Sequence, residues 1–459
     1  MTSLPPQPIS PLDGRYRKAV EGLGDTLSEA GLNKARVHVE VEWLAYLTSH
    51  SLLGGTPMDD AQLASLREWA ANFGQAEIDE LAETEKTTQH DVKAVEYLVR
   101  ARLEAQGLGQ FAELTHVCCT SEDINNLSYA LTVKQAITDV WRPKFVAVID
   151  ELERQAGVYR DLAMMSRTHG QPATPTTLGK ELGVFVYRLR RQLRQIDAVE
   201  YLGKFSGATG TFAAHLAADP AADWETISRE FVEGLGLDWN PVTTQIESHD
   251  WQAELYTRVA HANRILHNLA TDIWSYISIG YFRQTPVAGA TGSSTMPHKV
   301  NPIRFENAEA NLEISNALLD SLAATLVTSR WQRDLTDSSA QRNIGVALGH
   351  SVLALDNTLK GLGQIDAAPE VLAADLDSNW EVLGEAIQTV IRAEVTAGRS
   401  TISDPYAALK ELTRGRRIGQ AELVEFVQGL EIGDEAKQRL LQLTPATYIG
   451  NAPELLKYL

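Results

Sequence analysis

The sequence predicts an all-α protein of three consecutive helical domains, the middle one built from very long helices. Three observations carry that expectation. Apolar residues recur at steps of three and four rather than two. Proline is missing over very long stretches, and convincing alternating strands are scarce.

Taken in order, Leu27, Ala30, Lys34, Val37, Val41, Leu44 and Leu47 share one mostly apolar helical face. Residues 76–104 read as helical, with a break near Thr87–Thr88. A glycine-bearing turn then sets a first boundary near Phe111–Glu113. No proline occurs from Thr176 to Asp219. Asp250 to Phe282 reads as one helix, with Leu255, Val259, Leu266, Leu269, Ile273 and Ile277 at helical spacing. Its other faces carry few charges, so it is expected to be buried on several sides, which points to subunit association. From Ile303 to Ala368 there is no proline, and no glycine before Gly345. Phe305 to Ser329 reads as a single helix. Extended pieces are expected only at Pro241–Glu247 and near Pro286. After Gly361 prolines return and helices shorten. The expected domains are 1–112, 113–365 and 366–459.

Composition narrows the function. The chain has 459 residues and a net charge of −19. So acidic a chain is a poor non-specific partner for nucleic acid or anionic membrane. An anionic ligand requires cations gathered locally. The two cysteines, Cys118 and Cys119, are adjacent, a spacing that seldom permits a disulfide. There is no signal-peptide pattern and no apolar run of about 18 residues. A reducing, cytoplasmic setting is expected.

Gly107-Leu108-Gly109-Gln110-Phe111-Ala112 has the letters of a loose dinucleotide fingerprint, but it follows a helix rather than a strand. It and the Gly-Leu-Gly triplets beginning at Gly22, Gly234 and Gly361 read as helix-ending punctuation. The eleven histidines show no metal-ligand spacing. The Arg414–Arg417 cluster reads as solvated surface.

Three segments stand out. Ser166 to Pro175 packs an arginine, hydroxyls, His169 and Gln171 into a turn before a long helix, a suitable ligand site. Gly289 to Pro302 begins with glycines and hydroxyls and continues Met-Pro-His-Lys-Val-Asn-Pro. That pattern is too constrained for a linker and too polar for packing, so it reads as an anion-binding loop that closes over substrate. Thr120-Ser121-Glu122-Asp123 suits a helix start, and capping leaves a hydroxyl able to meet a carboxylate. Asp13-Gly14-Arg15-Tyr16 and Thr88-Gln89-His90-Asp91 are ordinary turns unless they join the others in space.

These segments, in this order, resemble the fumarase/aspartase superfamily of lyases. Within it they look most like the branch that cleaves succinyl-amino nucleotides, in its long bacterial form. The loop 292–302 (GSSTMPHKVNP) is the most specific feature. Residues 13–16, 87–96, 120–126, 166–175 and 329–338 extend the resemblance through nearly the whole chain. One departure is Gln89, where the family pattern has Asn or a small residue.

The resemblance implies a three-domain fumarase/aspartase-like fold with a long central helical bundle. It implies a homotetramer whose active sites take segments from three subunits. The implied reaction eliminates fumarate from adenylosuccinate and from its imidazole-carboxamide analogue in purine synthesis. Ser293 is then the base and His169 the acid that protonates the leaving nitrogen. Lys299 and Asn301 meet the succinyl carboxylates with Thr120 and Ser121. Arg15, Tyr16, Arg333, Ser338 and Arg342 hold the nucleotide, and His90 lies near the phosphate or the acid site. Gln89, Asp91, Gln245, Ser294, Val300 and Asn307 complete the implied contacts. No metal or organic cofactor is implied. A sister lyase for argininosuccinate, aspartate or malate, or a non-catalytic structural member, is the alternative.

Overall fold

The computed structural model describes residues 8–285, 296, 299–413 and 418–459. The principal helices are α1 (Glu29–Ser49), α2 (Asp60–Ala71), α3 (Gln75–Thr88), α4 (Asp91–Ala105), α5 (Ser121–Gln135) and α6 (Arg142–Val158). They continue with α7 (Leu178–Asp197), α8 (Asp250–Ser278), α9 (Ile303–Leu326), α10 (Ile344–Leu362) and α11 (Pro369–Asp377). Strands pair only two at a time among the described residues: β1 (Ala163–Thr168) with β2 (Gln171–Thr177), β3 (Phe282–Gln284) with β4 (Ile365–Ala367), and Leu202–Gly203 with Asp238–Trp239. The fold is all-α. No helix among the described residues is long and apolar enough to cross a membrane.

The chain divides into two compact units. One is Met1–Val146, Gln192–Leu266 and Ala308–Asp356; the other is Ala147–Arg191, His267–Asn307 and Asn357–Leu459. In the first unit, α1 begins where Ser28 Oγ accepts the Gly31 N–H at 3.0 Å. Position 31 needs glycine, because a Cβ there would meet Asp25 O at 2.7 Å. Val37, Val41 and Leu44 of α1 pack with Leu66 and Trp69 of α2, Leu81 of α3, and Val95, Leu98 and Val99 of α4. Each such burial is worth roughly 1.5–3 kcal/mol. The same helix also buries Arg36 and Glu40. Glu40 is satisfied by His116 Nδ1 at 2.6 Å.

The long helices of this unit are tied by a buried chain of hydrogen bonds. Trp141, at the end of the π-turn joining α5 to α6, donates to Ser351 Oγ at 2.8 Å. Ser351 donates to Asn263 Oδ1 at 2.8 Å, and Asn263 Nδ2 donates to Ser315 Oγ at 3.1 Å. Ser315 then donates to Ala347 O at 2.8 Å. Four segments thereby share one set of polar partners, which only one axial register satisfies.

In the second unit, β1 and β2 form an antiparallel hairpin with Thr168 opposite Gln171. The ribbon is anchored by Arg167, which donates to Tyr281 Oη at 2.9 Å and to Asp375 of α11 at 2.7 Å. The Tyr281 hydroxyl donates to the same carboxylate. Further along, Leu383, Ile387, Ile391, Leu423, Val427 and Leu440 form a separate apolar core.

Several expectations need correction. The helix expected over Asp250–Phe282 stops at Ser278, because Gly280 turns the chain with φ +78° and Phe282 enters β3. Pro241–Glu247 forms no strand. Its polar side chains are engaged instead, with Asn240 Nδ2 donating to Glu247 at 2.9 Å and Gln245 Nε2 reaching the distant Ala208 O at 2.9 Å. Ser166–Pro175 is a hairpin rather than a simple turn. Pro172 and Pro175 argue against a strand, yet a two-stranded ribbon has free edges where a missing N–H costs nothing. Gly361 lies inside the last turn of α10, where a Cβ would come within 2.8 Å of the Phe305 ring.

The hydrogen-bonded chain yields a stability prediction. Asn263→Leu keeps the volume but takes the acceptor from the Ser351 hydroxyl proton and a donor from Ser315 Oγ, which should cost about 1–3 kcal/mol. Calorimetry at fixed protein concentration should show a lowered midpoint, and an unchanged midpoint would remove this role.

Candidate active site

Of the expected site residues in the first unit, Gln89, His90, Asp91, Thr120 and Ser121 gather at the N-termini of α4 and α5. Gln89 closes α3 in the left-handed region at φ +48°, which turns the chain and makes His90 the cap of α4. His90 Nδ1 accepts the Lys93 N–H at 3.2 Å, leaving Nε2 facing Ser121 Oγ at 3.4 Å. Thr120 caps α5, and its N–H donates to Asp123 Oδ2 at 2.8 Å. A capping histidine and a capping threonine–serine pair therefore stand side by side.

Beside them, Asp91 is held by two guanidinium groups, Arg36 at 2.8 Å and Arg342 at 3.1 Å. Arg342 also pairs with Glu29. Burial pushes the Asp91 carboxyl up, but Arg36, the Val92 N–H and Arg342 outweigh it and hold its pKa below the usual aspartate range. Arg36 itself is fully enclosed, bonded also to Asn125 and Asn33 at 2.9 and 2.8 Å.

A second group lies around Arg333. Its guanidinium sits 2.9 Å from Glu122 and 3.4 Å from Asp337. Burial raises the Glu122 carboxyl, partly offset by Arg333. Asp337 in turn lies 3.2 Å from His249 Nε2, and Ser338 donates its N–H to Asp337 Oδ1 at 2.6 Å. The N-terminal motif is placed by glycine. A Cβ at Gly349 would come within 2.8 Å of Leu12. Leu12, Asp13, Arg17, Arg342 and Gly345 help line a cavity of about 550 Å³. Arg15 is exposed, its charge 6.0 Å from the half-buried Tyr16 ring. A larger groove of about 740 Å³, bordered by Lys34, His38, Arg67 and Lys134, holds none of the expected residues.

In the second unit, His169 and Gly170 form the two-residue tip of the hairpin, with φ of +53° and +74°. Two consecutive positive φ values define a type I′ turn, whose twist matches the strands. The imidazole is thus exposed at the apex of an anchored ribbon. Lys299 is exposed and its N–H donates to Met296 O at 3.0 Å. Val300 O accepts the Gln284 side chain at 2.7 Å, fixing this segment to β3. Asn301 and Asn307, at the start of α9, are half-buried. Ser293, Ser294, His298 and the Arg414–Arg417 cluster lie outside the described residues.

The structure thus brings His90 to Ser121, and Asp91 to Arg342. Gln245 and Arg15 meet only their own neighbourhoods, at Ala208 and Tyr16. Sequence reasoning did not find Arg36, Lys204, Asp337 or His249. For His249 a signal existed: Gln245 to Asp250 is a polar cluster before a long helix, like the segments singled out. Arg36 gave none, because one arginine on an apolar helix looks like an exposed one.

The Asp91 cluster makes acid stability testable. A lowered folded pKa contributes stability above the unfolded value of about 3.9, and that contribution is lost as pH falls through the folded value. Asp91→Asn should therefore be less stable than wild type at pH 7, with the gap closing below about pH 4. Denaturant unfolding across pH 3–7 measures this, and a pH-independent gap contradicts it.

Comparison with known proteins follows from this geometry. A family model described as lyase matches residues 14–313, and one described as adenylosuccinate lyase C-terminal matches residues 329–449. Adenylosuccinate lyase of Escherichia coli strain K12 is 48% identical over 446 residues, covering 97% of this chain and 96% of the relative. That of Haemophilus influenzae is 48% identical over 453 residues, covering 98% of both. Among solved structures, a fumarate lyase from Mesorhizobium sp. BNC1 superposes with a TM-score of 0.74 at 19% identity, covering 95% of this chain and 97% of that one. A 3-carboxy-cis,cis-muconate lactonizing enzyme from Pseudomonas putida gives 0.72 at 20%, covering 95% and 96%. The two structures share the fold. With near-full-length identity of this order, the chain belongs to the adenylosuccinate lyase family.

Proposed function

We propose that this chain cleaves adenylosuccinate to AMP and fumarate, and the succinyl-aminoimidazole-carboxamide ribotide to AICAR and fumarate. The observation that carries this reading is 48% identity to adenylosuccinate lyase across 97% of the chain. The same observation favours it over a sister lyase or a non-catalytic member.

The chemistry is a β-elimination. A proton leaves the carbon beside one succinyl carboxylate, and the C–N bond then breaks. Ser293 takes the proton. His169 gives one to the leaving nitrogen, and its exposed place at the hairpin apex supports that role. The carbanion spreads into the adjacent carboxylate, so cations and N–H donors there lower the barrier. Thr120, Ser121, Lys299 and Asn301 fill that role, while Arg15, Tyr16, Arg333, Ser338 and Arg342 hold the nucleotide.

We read the enzyme as a cytoplasmic homotetramer with sites shared between subunits. Exposed apolar side chains on the long helices support association: Val184 and Tyr187 on α7, Trp274 on α8 and Ile314 on α9 are 39%, 57%, 42% and 46% exposed. The division into domains at 112/113 and 365/366 belongs to the same reading, supported by the two local apolar cores.

Loss of ultraviolet absorbance from adenylosuccinate should follow addition of the enzyme. His169→Ala should lower turnover about 10²–10⁴-fold while substrate still binds. An inert wild type sinks the function, and near-normal turnover of the variant removes His169 from its role. For assembly, inactive His169→Ala and Ser293→Ala subunits should regain activity when mixed and reassembled. A fully active monomer would exclude shared sites.

A further inference from the structure

The N-terminus of α5 is where the proposed reading places a substrate carboxylate. Yet its first turn carries two acids, Glu122 and Asp123. Carboxylates stabilise a helix start, but they also cancel the positive potential that an incoming anion needs. Each acid is met by one cation. Arg333 lies 2.9 Å from Glu122, and Lys204 Nζ lies 3.0 Å from Asp123 Oδ1.

The second pair is wholly enclosed, with both side chains 0% exposed. Lysine is almost never buried unless paired. A buried ion pair is also weak evidence for stability, because well-packed apolar residues often do as well. Asp123 nevertheless has geometric work that an apolar residue cannot do. Its oxygens accept the Thr120 N–H at 2.8 Å, the Ser206 N–H at 2.9 Å and the Gly207 N–H at 3.1 Å. It therefore joins the Thr120–Ser121 turn to the loop that follows Lys204. Ala208 of that loop receives the Gln245 amide at 2.9 Å. An accepting oxygen is required here for shape, which a neutral amide would keep in part, and the negative charge is unwanted at an anion-receiving terminus. Lys204 removes the charge and keeps the shape, and its Nζ also donates to Gly207 O at 2.8 Å.

We propose that Lys204 is a positioning residue for substrate binding, acting through Asp123 to leave the Thr120–Ser121 terminus free to accept a succinyl carboxylate. This rests on the function proposed above. It predicts a defect specific to the succinyl group, reversed by neutralising Asp123.

The test compares wild type, Lys204→Met, Asp123→Asn and Lys204→Met/Asp123→Asn, each assayed well below its thermal midpoint. AMP, which lacks the succinyl group, serves as a control inhibitor. Lys204→Met should raise KM for adenylosuccinate about tenfold or more, the order expected for one uncompensated charge nearby. Its inhibition by AMP should stay near the wild-type value. The second substitution should return KM at least halfway on a logarithmic scale. A Lys204→Met enzyme with lowered midpoint but unchanged KM overturns the proposal, as does a Lys204→Met rise in KM that is equally large when measured against Asp123→Asn alone as the reference. If Lys204→Met does not fold, the double variant decides: KM within about fivefold of wild type supports the proposal, and a larger rise overturns it. If wild type does not turn over adenylosuccinate, the functional reading fails by itself. Lys204 is then judged by calorimetric binding of fumarate to the same proteins, with loss in the single variant and recovery in the double still required.

Discussion

The long helices of the first unit have to agree on a register, and one buried set of polar groups enforces it. Asn263 accepts from Ser351 and donates to Ser315, and the chain runs on from these hydroxyls to Trp141 at one end and Ala347 O at the other. Apolar packing alone tolerates sliding by a turn, because leucine against alanine costs little more one step along. A slide here strands several buried polar groups, each at roughly 1–3 kcal/mol. The candidate site depends on this, since its residues sit at helix ends. Thr120 and Ser121 open α5, Gln245 and His249 precede α8, Arg333 follows α9, and Arg342 precedes α10.

The second theme is charge held in pairs. The protein is strongly acidic, yet its function calls for binding polyanions. Near the helix ends two of the expected cations are already engaged: Arg342 with Glu29 and Asp91, Arg333 with Glu122 and Asp337. A phosphate bound at Arg342, as proposed above, would compete with carboxylates rather than meet a naked charge. Binding becomes an exchange of partners, which lowers the gain per contact and favours ligands that engage several arginines together.

Much of this was legible in the sequence, for identifiable reasons. The long helices announce themselves because proline is absent across stretches where only a helix satisfies the backbone. The motifs announce themselves because histidine, hydroxyls and glycine crowd into segments that neither pack nor bend freely. The hairpin at Ala163–Thr177 was hidden by its prolines, which are harmless on a two-stranded ribbon. Buried ion pairs were hidden more deeply. Arg36 finds Asp91 55 positions away, and Lys204 finds Asp123 across a comparable gap, so neither residue signals its burial locally. Gln89 was visible as a departure, but the backbone conformation that makes it one was not. The position is left-handed, which suits Asn or Gly better than Gln.

The type I′ turn at His169–Gly170 carries a consequence for loop length. A two-residue turn fixes strand register, and side chains alternate faces along a ribbon. One inserted residue at the tip would reverse the facing of one strand relative to the other. Arg167 would then leave Tyr281 and Asp375, and the buried Met164 and Met165 would exchange faces. The length of the apex is therefore fixed by strand register, independently of the chemistry of the residues it carries.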